Sequence, residues 1–257
     1  MSPPRMDARD VLTRPAARPD AVVRYGDHSD HLLDVHLPVT TSGPAPVVFL
    51  VHGGFWREEF DRTHTRPLAQ ALTGAGWAVV TPEYRRTDGD GGWPATFDDV
   101  ATAFRRLRLL EDVVPERLAL DEVTVLGHSA GGHLAMLLGL HTGRPALPRV
   151  RRVVALAPVA DLPEAHARDL GAGAVAALMG GPPDELVQEY AAADPARMLP
   201  GNVEVVVLHG DRDQQVPVQM SRALRDVDYV ELPDVDHFAL VDPVSPAWPA
   251  VLAALTR

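Results

Sequence analysis

Residues 127–131 read Gly-His-Ser-Ala-Gly, a pattern that can present a serine hydroxyl for nucleophilic attack on a carbonyl carbon. The pentapeptide follows a largely apolar run at residues 123–126 and leads into a stretch with helical spacing. The turn between such a strand and helix is too tight for ordinary side chains, so Gly127 and Gly131 relieve the crowding on either side of Ser129. The pattern therefore predicts a nucleophile elbow that exposes the hydroxyl of Ser129.

A second pair of glycines follows an earlier apolar run. Residues 46–51 predict a buried parallel strand, and residues 52–56 after it read His-Gly-Gly-Phe-Trp. Glycine after a strand lets backbone N–H groups approach a ligand closely, and such groups can hold a negatively charged oxygen. We expect an oxyanion hole formed by the backbone N–H groups of Gly54, Phe55 and Ala130, the last being the residue after the predicted nucleophile.

Three side chains around these motifs need separate interpretation. His52 is expected to hold its own loop by hydrogen bonds rather than to act as a base. Trp56 either lines the pocket or braces the oxyanion loop, and the sequence favours neither interpretation. His128 flanks the predicted nucleophile and is expected to point away from it.

A serine nucleophile needs a base, and the base needs a group that orients it. The downstream half contains two predicted strands, each followed by a loop with candidate side chains, at residues 203–208 and 229–232. His237 is the candidate base and Asp213 the candidate acid, and the chain order Ser129, Asp213, His237 is that expected after a nucleophile elbow. Asp211 and Asp236 compete for the acid role, although Asp236 adjoins His237 in sequence, which normally makes side chains diverge.

These residues resemble the α/β-hydrolase superfamily over nearly the whole chain. Within it, the His-Gly-Gly-Phe-Trp and Gly-His-Ser-Ala-Gly motifs are similar to those of kynurenine formamidases and small carboxylesterases. That group is related to hormone-sensitive-lipase-like esterases, in which a third glycine stands where this chain has Phe55. The loops at residues 209–217 and 236–238 resemble the acid and histidine loops of these enzymes, and the match implies Asp213 rather than Asp211 as the acid.

The resemblance implies a serine hydrolase that cleaves a small carboxylic ester through an acyl-enzyme intermediate, without a cofactor. The expected partner is a small-molecule ester or amide substrate. Arylformamidase activity, the hydrolysis of an N-formylkynurenine-type formamide, is the first alternative, because the chemistry is nearly shared. A non-catalytic ligand-binding protein on a hydrolase fold is an alternative of another class, but such a protein would be expected to have lost a member of the triad.

Strands must carry these side chains to one edge of a sheet, and helices must cover it. Alternating strands and helices predict an α/β protein with a mainly parallel central sheet and helices on both faces. The resemblance implies that this is the α/β-hydrolase fold, here with a small cap insertion. An opening antiparallel pair of strands is expected at residues 21–25 and 32–37. Further strands are expected at residues 46–51, 77–81, 123–126, 152–157, 203–208 and 229–232. Helices are expected at residues 62–73, 97–114, 132–141, 218–225 and 248–255.

The chain is expected to form a single domain over residues 1–257. Residues 161–201 break the alternation with several glycines and paired prolines between two predicted strands. An insertion of this length in a compact domain is usually functional, so we expect a small cap over the site. Leu178, Met179 and Tyr190 could line an acyl or aryl pocket, or they could pack the cap against the body.

Composition restricts the partners and the location. The net charge of -11 argues against binding to nucleic acid or to anionic membranes. No apolar stretch is long enough to span a bilayer, and residues 1–19 lack the apolar core of a signal peptide. The chain has no cysteine, which excludes disulfides and thiolate metal sites and fits a cytoplasmic location. The sequence contains no convincing metal site and does not predict the oligomeric state.

If Ser129 is the nucleophile, a fluorophosphonate should form one adduct, because an elbow surrounds none of the other serines. Those serines are Ser2, Ser29, Ser42, Ser221 and Ser245. Peptide mapping by mass spectrometry should place the label on the peptide that contains Ser129. Label on another serine, with Ser129 unmodified, would rule out this assignment.

Overall fold

The computed structural model of the protein describes residues 8–39, 43–141 and 148–256, so residues 1–7 of the N-terminal segment lie outside the described residues. The strands in chain order are β1 (Ala21–Arg24), β2 (Leu32–His36), β3 (Ala45–Val51), β4 (Ala78–Pro82), β5 (Leu118–His128), β6 (Arg149–Leu156), β7 (Glu204–Gly210) and β8 (Asp228–Leu232). Within the described residues they form one sheet in the order β1-β2-β4-β3-β5-β6-β7-β8. β2 pairs antiparallel with β1 and β4, and all other neighbours pair in parallel.

The central strands are apolar along most of their length because both faces of the sheet are buried. In β3, Phe49 packs into one core cluster, whereas Val48 and Leu50 pack into another. Since successive side chains of a strand point to opposite faces, the two clusters lie on opposite sides of the sheet. The edge strands β1 and β8 keep exposed positions instead. The predicted mainly parallel sheet is confirmed, including its opening antiparallel pair.

Helices cover both faces of this sheet. They are α1 (Arg66–Gly74), α2 (Ala95–Arg105), α3 (Ala130–His141), α4 (Leu162–Ala167), α5 (Ala174–Met179), α6 (Val187–Ala193), α7 (Pro195–Met198), α8 (Val218–Ala223) and α9 (Trp248–Thr256). Side chains of α2 and α3 join the cluster that contains Phe49, and side chains of α1 and α9 join the other. Across the described ranges, no helix combines the length and apolarity needed to cross a membrane.

The single helix predicted for residues 97–114 is wrong in its second half. The α-helix ends at Arg105, and a 3₁₀-helix follows at Leu107–Asp112. Leu107 and Leu110 are both buried there. A three-residue spacing places two side chains on the same face in either type of helix, so the apolar pattern alone does not distinguish them.

The insertion predicted at residues 161–201 lies between β6 and β7 and contains the short helices α4 to α7. Leu178, Met179 and Tyr190 are buried in the same core cluster as residues of the sheet. These three side chains therefore pack the insertion against the body, which is one of the two interpretations of the sequence. That the insertion acts as a cap stays a prediction.

A buried carboxyl group lies within this insertion, at the residue before α7. Asp194 is 1% exposed, and its Oδ1 accepts the backbone N–H of Leu162 at 3.2 Å. Burial raises the pKa of Asp194 to about 6. For an acid, a raised pKa in the folded state means that ionisation destabilises the fold. The destabilisation is absent below about pH 4, the ordinary pKa of aspartate, and complete above about pH 6.

Asp194→Asn should therefore raise the free energy of unfolding near neutral pH by about 3 kcal/mol, because the amide keeps an acceptor for Leu162 without ionising. The gain should vanish at about pH 4, where the wild-type carboxyl group is already protonated. Urea unfolding of both proteins at the two pH values measures the difference. Asp184→Asn, at an exposed position of the same insertion, is the control and should give no pH-dependent gain. An equal gain from Asp194→Asn at both pH values would contradict the argument.

Candidate active site

The strand–turn–helix arrangement predicted around Ser129 is confirmed. Ser129 lies between β5 and α3, and its φ of 57° is in the left-handed region that residues other than glycine rarely adopt. A Cβ atom on Gly127 would lie 2.1 Å from the carbonyl oxygen of Gly131, and one on Gly131 would lie 2.2 Å from that of Val51. Both flanking positions therefore require glycine. The N–H of Ser129 donates to the carbonyl oxygen of Leu156, the last residue of β6, at 2.8 Å.

The loop after β3 passes directly beside this elbow. A Cβ atom on Gly53 would lie 3.2 Å from Cβ of Ser129. Gly54 and Phe55, with φ values of 111° and 51°, follow and line the same pocket as Ser129. Ala130 is the first residue of α3, where backbone N–H groups have no partner inside the helix. The three predicted oxyanion donors thus lie on the two segments around Ser129, and their role stays a prediction.

His52 holds the loop from behind, as predicted. Its Nε2 lies 2.8 Å from Oε1 of Glu83, and its ring stacks on Tyr84 with 4.2 Å between ring centroids. The hydroxyl of Tyr84 donates to the carbonyl oxygen of His52 at 2.8 Å. Burial opposes ionisation of Glu83, but His52 and Arg86 outweigh it and lower the pKa of Glu83 to about 2. An ionised glutamate is therefore buried behind the loop.

Trp56 braces the loop rather than lining the pocket. It is fully buried, and the edge of its ring meets His133 with 5.2 Å between ring centroids. Its carbonyl oxygen accepts the backbone N–H of Thr87 at 2.7 Å. Of the two adjacent aromatic residues Phe55 and Trp56, Phe55 is the one that lines the pocket.

Asp213 and His237 come together beyond the ends of β7 and β8. Oδ2 of Asp213 lies 2.6 Å from Nδ1 of His237, and Oδ1 accepts the backbone N–H groups of Gln215 and Val216, both at 2.8 Å. Burial on its own would raise the pKa of Asp213. Hydrogen bonds from His209, His237 and Val216 outweigh burial and hold this pKa well below its ordinary value. Asp213 is therefore an ionised carboxylate in contact with an imidazole.

The two competing aspartates make other contacts. Oδ1 of Asp211 accepts the N–H of Asp234 at 2.7 Å. Oδ1 of Asp236 accepts backbone N–H groups two and three residues further along the chain, at 3.0 and 2.9 Å. Of the three candidate acids, Asp213 is the one that the structure brings to His237.

His209 is a member of this network that the sequence analysis did not identify. Its Nε2 lies 3.1 Å from Oδ2 of Asp213 and 2.9 Å from the carbonyl oxygen of Val216. Both partners are acceptors, so Nε2 carries a proton, and in the neutral ring Nδ1 accepts the hydroxyl of Ser221 at 2.7 Å. His209 and His237 therefore share one oxygen of Asp213. A histidine four residues before the predicted acid was the signal that could have indicated this contact.

The expectation that His128 points away from Ser129 is wrong. The ring of His128 lines the pocket, 4.4 Å from the ring of His237 between centroids. Its Nε2 donates to the carbonyl oxygen of His237 at 3.0 Å and so ties the histidine loop to the elbow. Burial holds the pKa of His128 well below its ordinary value, so the ring is neutral. The residues of this bond are 109 positions apart, which is why no local pattern indicated it.

A cavity of about 490 Å³ lies beside the elbow. Its walls come from residues 9–12, 54–64, 128–129 and 171–172, and from the loops at 215 and 237–238. Four of the six predicted site residues line it, namely Gly54, Phe55, Ser129 and His237. Asp213 and Ala130 are buried behind this surface.

The insertion reaches this cavity through Gly171 and Ala172, and Leu178, Met179 and Tyr190 are not among the lining residues that the structure describes. A Cβ atom on Gly171 would lie 2.6 Å from Cδ1 of Phe55. The insertion therefore touches the loop after β3 at Phe55. The contact is made by backbone and small residues rather than by the apolar side chains that the sequence suggested.

The N-terminal segment forms a wall that the sequence analysis missed. A 3₁₀-helix at Ala8–Leu12 buries Val11 in the core and brings Arg9 to the cavity. The segment is held by Arg14, whose guanidinium binds both carboxylate oxygens of Asp242 at 2.5 and 2.8 Å. Two residues far apart in sequence thus fix this wall next to the histidine loop.

The arrangement has the parts needed for nucleophilic attack on a carbonyl group. It contains a hydroxyl on a strained turn, an imidazole held by an ionised carboxylate, and backbone N–H groups beside the hydroxyl. Across the described residues there is no group of three or more histidine, aspartate or glutamate side chains that could hold a metal ion.

Comparison with known proteins identifies one family and one fold. The BD-FAE family model matches residues 33–227, about three quarters of the chain, including Ser129 and Asp213. A crystal structure of esterase B from Lactobacillus rhamnosis with a tributyrin phosphonate inhibitor has a TM-score of 0.77 and 22% sequence identity, and the match covers 97% of this chain and 88% of that one. At this identity the likeness establishes the fold alone, and the predicted α/β-hydrolase fold is confirmed.

Two curated relatives bear on the function. The chain is 31% identical to the esterase LipQ of Mycobacterium tuberculosis over 213 residues, which is 75% of this chain and 50% of LipQ. It is 30% identical to the kynurenine formamidase of Salmo salar over 116 residues, which is 45% of this chain and 37% of the formamidase. The chain spans about half the length of the curated mycobacterial relatives it matches.

Asp213→Asn should lower kcat for an aryl acetate by about 10⁴, because the amide favours the wrong tautomer of the imidazole while leaving the fold intact. Asp211→Asn and Asp236→Asn are matched controls, since an asparagine oxygen can still accept their backbone N–H groups. Steady-state kinetics of the three variants, with circular dichroism to check folding, make the comparison. If Asp211→Asn proved to be the crippling change, the acid would be wrongly assigned by two residues.

Proposed function

Because this chain belongs to the BD-FAE family, we propose that it is a serine hydrolase that cleaves a small carboxylic ester through an acyl-enzyme intermediate. The observation that carries the proposal is the 2.6 Å contact between Asp213 and His237, with His237 in the same pocket as Ser129 on its strained elbow. Similarity to a mycobacterial protein named as an esterase adds support.

In the proposed mechanism, His237 takes the proton of Ser129 as the hydroxyl attacks the ester carbonyl carbon. Asp213 orients the imidazole and stabilises its cationic form. His237 then protonates the departing alcohol. A water molecule, deprotonated by the same imidazole, attacks the acyl-enzyme and releases the carboxylic acid and the serine.

Backbone N–H groups stabilise the charge that develops on the carbonyl oxygen. The proposal assigns this role to Gly54, Phe55 and Ala130, which flank Ser129 on two segments. Loss of one such donor typically raises the barrier by about 3 kcal/mol, which lowers the rate by roughly a hundredfold. The buried pair of His52 and Glu83 supports these donors from behind the loop.

The apolar side chains of the cavity offer a surface for an acyl group that fits within its walls. Its volume is about 490 Å³, and the apolar part of its lining consists mainly of Leu12, Phe55, Phe60 and Phe238. An acyl group that extends beyond these walls loses both burial and alignment of its carbonyl carbon with Ser129.

Formamide hydrolysis is a second candidate, favoured by the similarity to kynurenine formamidase. It needs the same nucleophile and base, and a formyl group is smaller than the acetyl group of an acetate ester. A non-catalytic binding role is the weaker alternative, since Ser129, Asp213 and His237 are all retained. The proposal includes a cytoplasmic location and a small-molecule substrate, with the absence of cysteine as support for the first.

A series of 4-nitrophenyl esters tests the proposal. Acetate and butyrate should be hydrolysed with kcat/KM about tenfold or more above that of the decanoate. Ser129→Ala should lower kcat by about 10⁴ or more for every member of the series. N-formylkynurenine, assayed alongside, should be the slower substrate, and the reverse order would favour the formamidase. Turnover that survives Ser129→Ala, or faster hydrolysis of the long chain, would contradict the proposal.

A further inference from the structure

The cavity is lined by two arginines that the proposed mechanism does not use. Among its described lining residues, Arg9, Arg57 and Glu59 are charged at neutral pH. His64 and His128 also line it, but burial lowers the pKa of His64 to about 4 and that of His128 well below its ordinary value. The lining thus includes two guanidinium groups and one carboxyl group, in a protein whose net charge is -11.

Arg57 is held in position at the edge of the oxyanion loop. Its N–H donates to the carbonyl oxygen of Gly54 at 3.0 Å, and its backbone forms a β-bridge with Thr87. Its Nη2 donates to the carbonyl oxygen of Ala172 at 2.8 Å. A guanidinium has five N–H donors in a planar fork, so an arginine that binds one carbonyl oxygen can also bind a carboxylate.

Arg9 reaches the cavity from the wall that the N-terminal segment forms. Its guanidinium carbon lies 5.6 Å from the centroid of the Phe238 ring, and Phe238 adjoins His237. The helix that carries Arg9 is anchored by buried Val11 and by the ion pair of Arg14 with Asp242. The position of Arg9 is thus tied to the loop that carries the base.

The two arginines stand on different walls of one cavity that also contains the nucleophile and base. Arg57 is two residues from Phe55, a proposed oxyanion donor, so a group bound by Arg57 is within a short molecule's length of the reacting carbonyl. Arginine is the side chain best suited to bidentate binding of a carboxylate. Glu59, on the same rim, repels such a group and so reduces the amount of negative charge that the site accepts.

We propose that the substrate is an ester that carries a second, anionic group, a carboxylate, which Arg57 and Arg9 bind while Ser129 attacks the ester. This inference rests on the proposed esterase function and adds the substrate class. The carboxylate can belong to the acyl part, as in a half-ester of a dicarboxylic acid, or to the alcohol part, as in an ester of a hydroxy acid.

Two pairs of substrates distinguish a carboxylate on the acyl part from one on the alcohol part. The acyl pair is 4-nitrophenyl hemiglutarate and 4-nitrophenyl pentanoate, and the alcohol pair is 4-acetoxybenzoate and 4-acetoxybenzamide. The measured quantity is the ratio of kcat/KM for the anionic member to that for the neutral member, with Ser129→Ala supplying the background. We expect a ratio of about five or more in one pair, falling as salt concentration rises.

Three variants of the lining should move this ratio in opposite directions. Arg57→Gln and Arg9→Gln should each lower it about fivefold or more, whereas Glu59→Gln should raise it about twofold or more. Arg57→Lys should lower the ratio by less than Arg57→Gln does, because the charge remains although the bidentate fork is lost. A general loss of folding would not lower the ratio in the arginine variants and raise it in Glu59→Gln.

Glu58→Gln and Arg18→Gln are matched controls, because both residues are exposed and lie outside the described lining. Glu58→Gln changes the net charge as Glu59→Gln does, and Arg18→Gln changes it as Arg57→Gln and Arg9→Gln do. Both controls should leave the ratio within about twofold of wild type. Ratios below one in both pairs, unmoved by Arg57→Gln and Arg9→Gln, would overturn the proposal. Equal shifts in the control variants would also overturn it, because they would show a general field effect.

Binding measured without turnover separates this inference from the proposed function. Calorimetric titration of glutarate and of glutaramide into Ser129→Ala should show tighter binding of glutarate, and the added Arg57→Gln change should remove that difference. If no ester is hydrolysed, the proposed esterase function fails. The calorimetric comparison of glutarate with glutaramide then still decides whether the anion site exists. Equal binding of glutarate and glutaramide would overturn the anion site.

Discussion

The contact of three backbone segments around Ser129 is the constraint on which the rest of the structure depends. Ser129 must adopt a left-handed conformation, which costs about 1–2 kcal/mol for a residue with a Cβ atom. The turn is held because Gly131 packs against the end of β3 and Gly53 packs against the carbonyl oxygen of His128. A residue with a Cβ atom at position 131 or 53 could not make either contact. The order of β3, β5 and β6 in the sheet brings these segments together.

A second layer of buried polar groups fixes the imidazole of His237 relative to that turn. Ser221, His209, Asp213 and His237 form a chain of hydrogen bonds, each between 2.6 and 3.1 Å. His128 closes the chain from the elbow side by donating to the carbonyl oxygen of His237. In a low-dielectric interior such a network is favourable only when its members are paired, and here each link has a partner of the correct donor or acceptor type. The network therefore restricts the imidazole to one orientation.

Local patterns were sufficient to predict the sheet, the elbow and the candidate loops, whereas the choice of Asp213 over Asp211 depended on the resemblance to known hydrolases. The elbow is encoded by neighbouring glycines, and Asp213 and His237 each follow an apolar strand, so short segments contain the information. What could not be predicted depends on contacts between distant residues. The wall at Ala8–Leu12 is fixed by Arg14 and Asp242, which are 228 residues apart. The same reason applies to His128, whose partner lies in another loop, and to Tyr190, whose burial depends on how the insertion packs.

The distribution of the site along the chain has a consequence for synthesis of the protein. The cavity takes lining residues from Arg9 to Phe238, and the wall that carries Arg9 is held by Asp242. The elbow precedes both His237 and Asp242 in the chain, so it is synthesised before the imidazole that meets Asp213 and before the anchor of one cavity wall. A nascent chain that has reached Ser129 therefore still lacks His237. The complete cavity can form only after β7, β8 and the loop that carries His237 have been made.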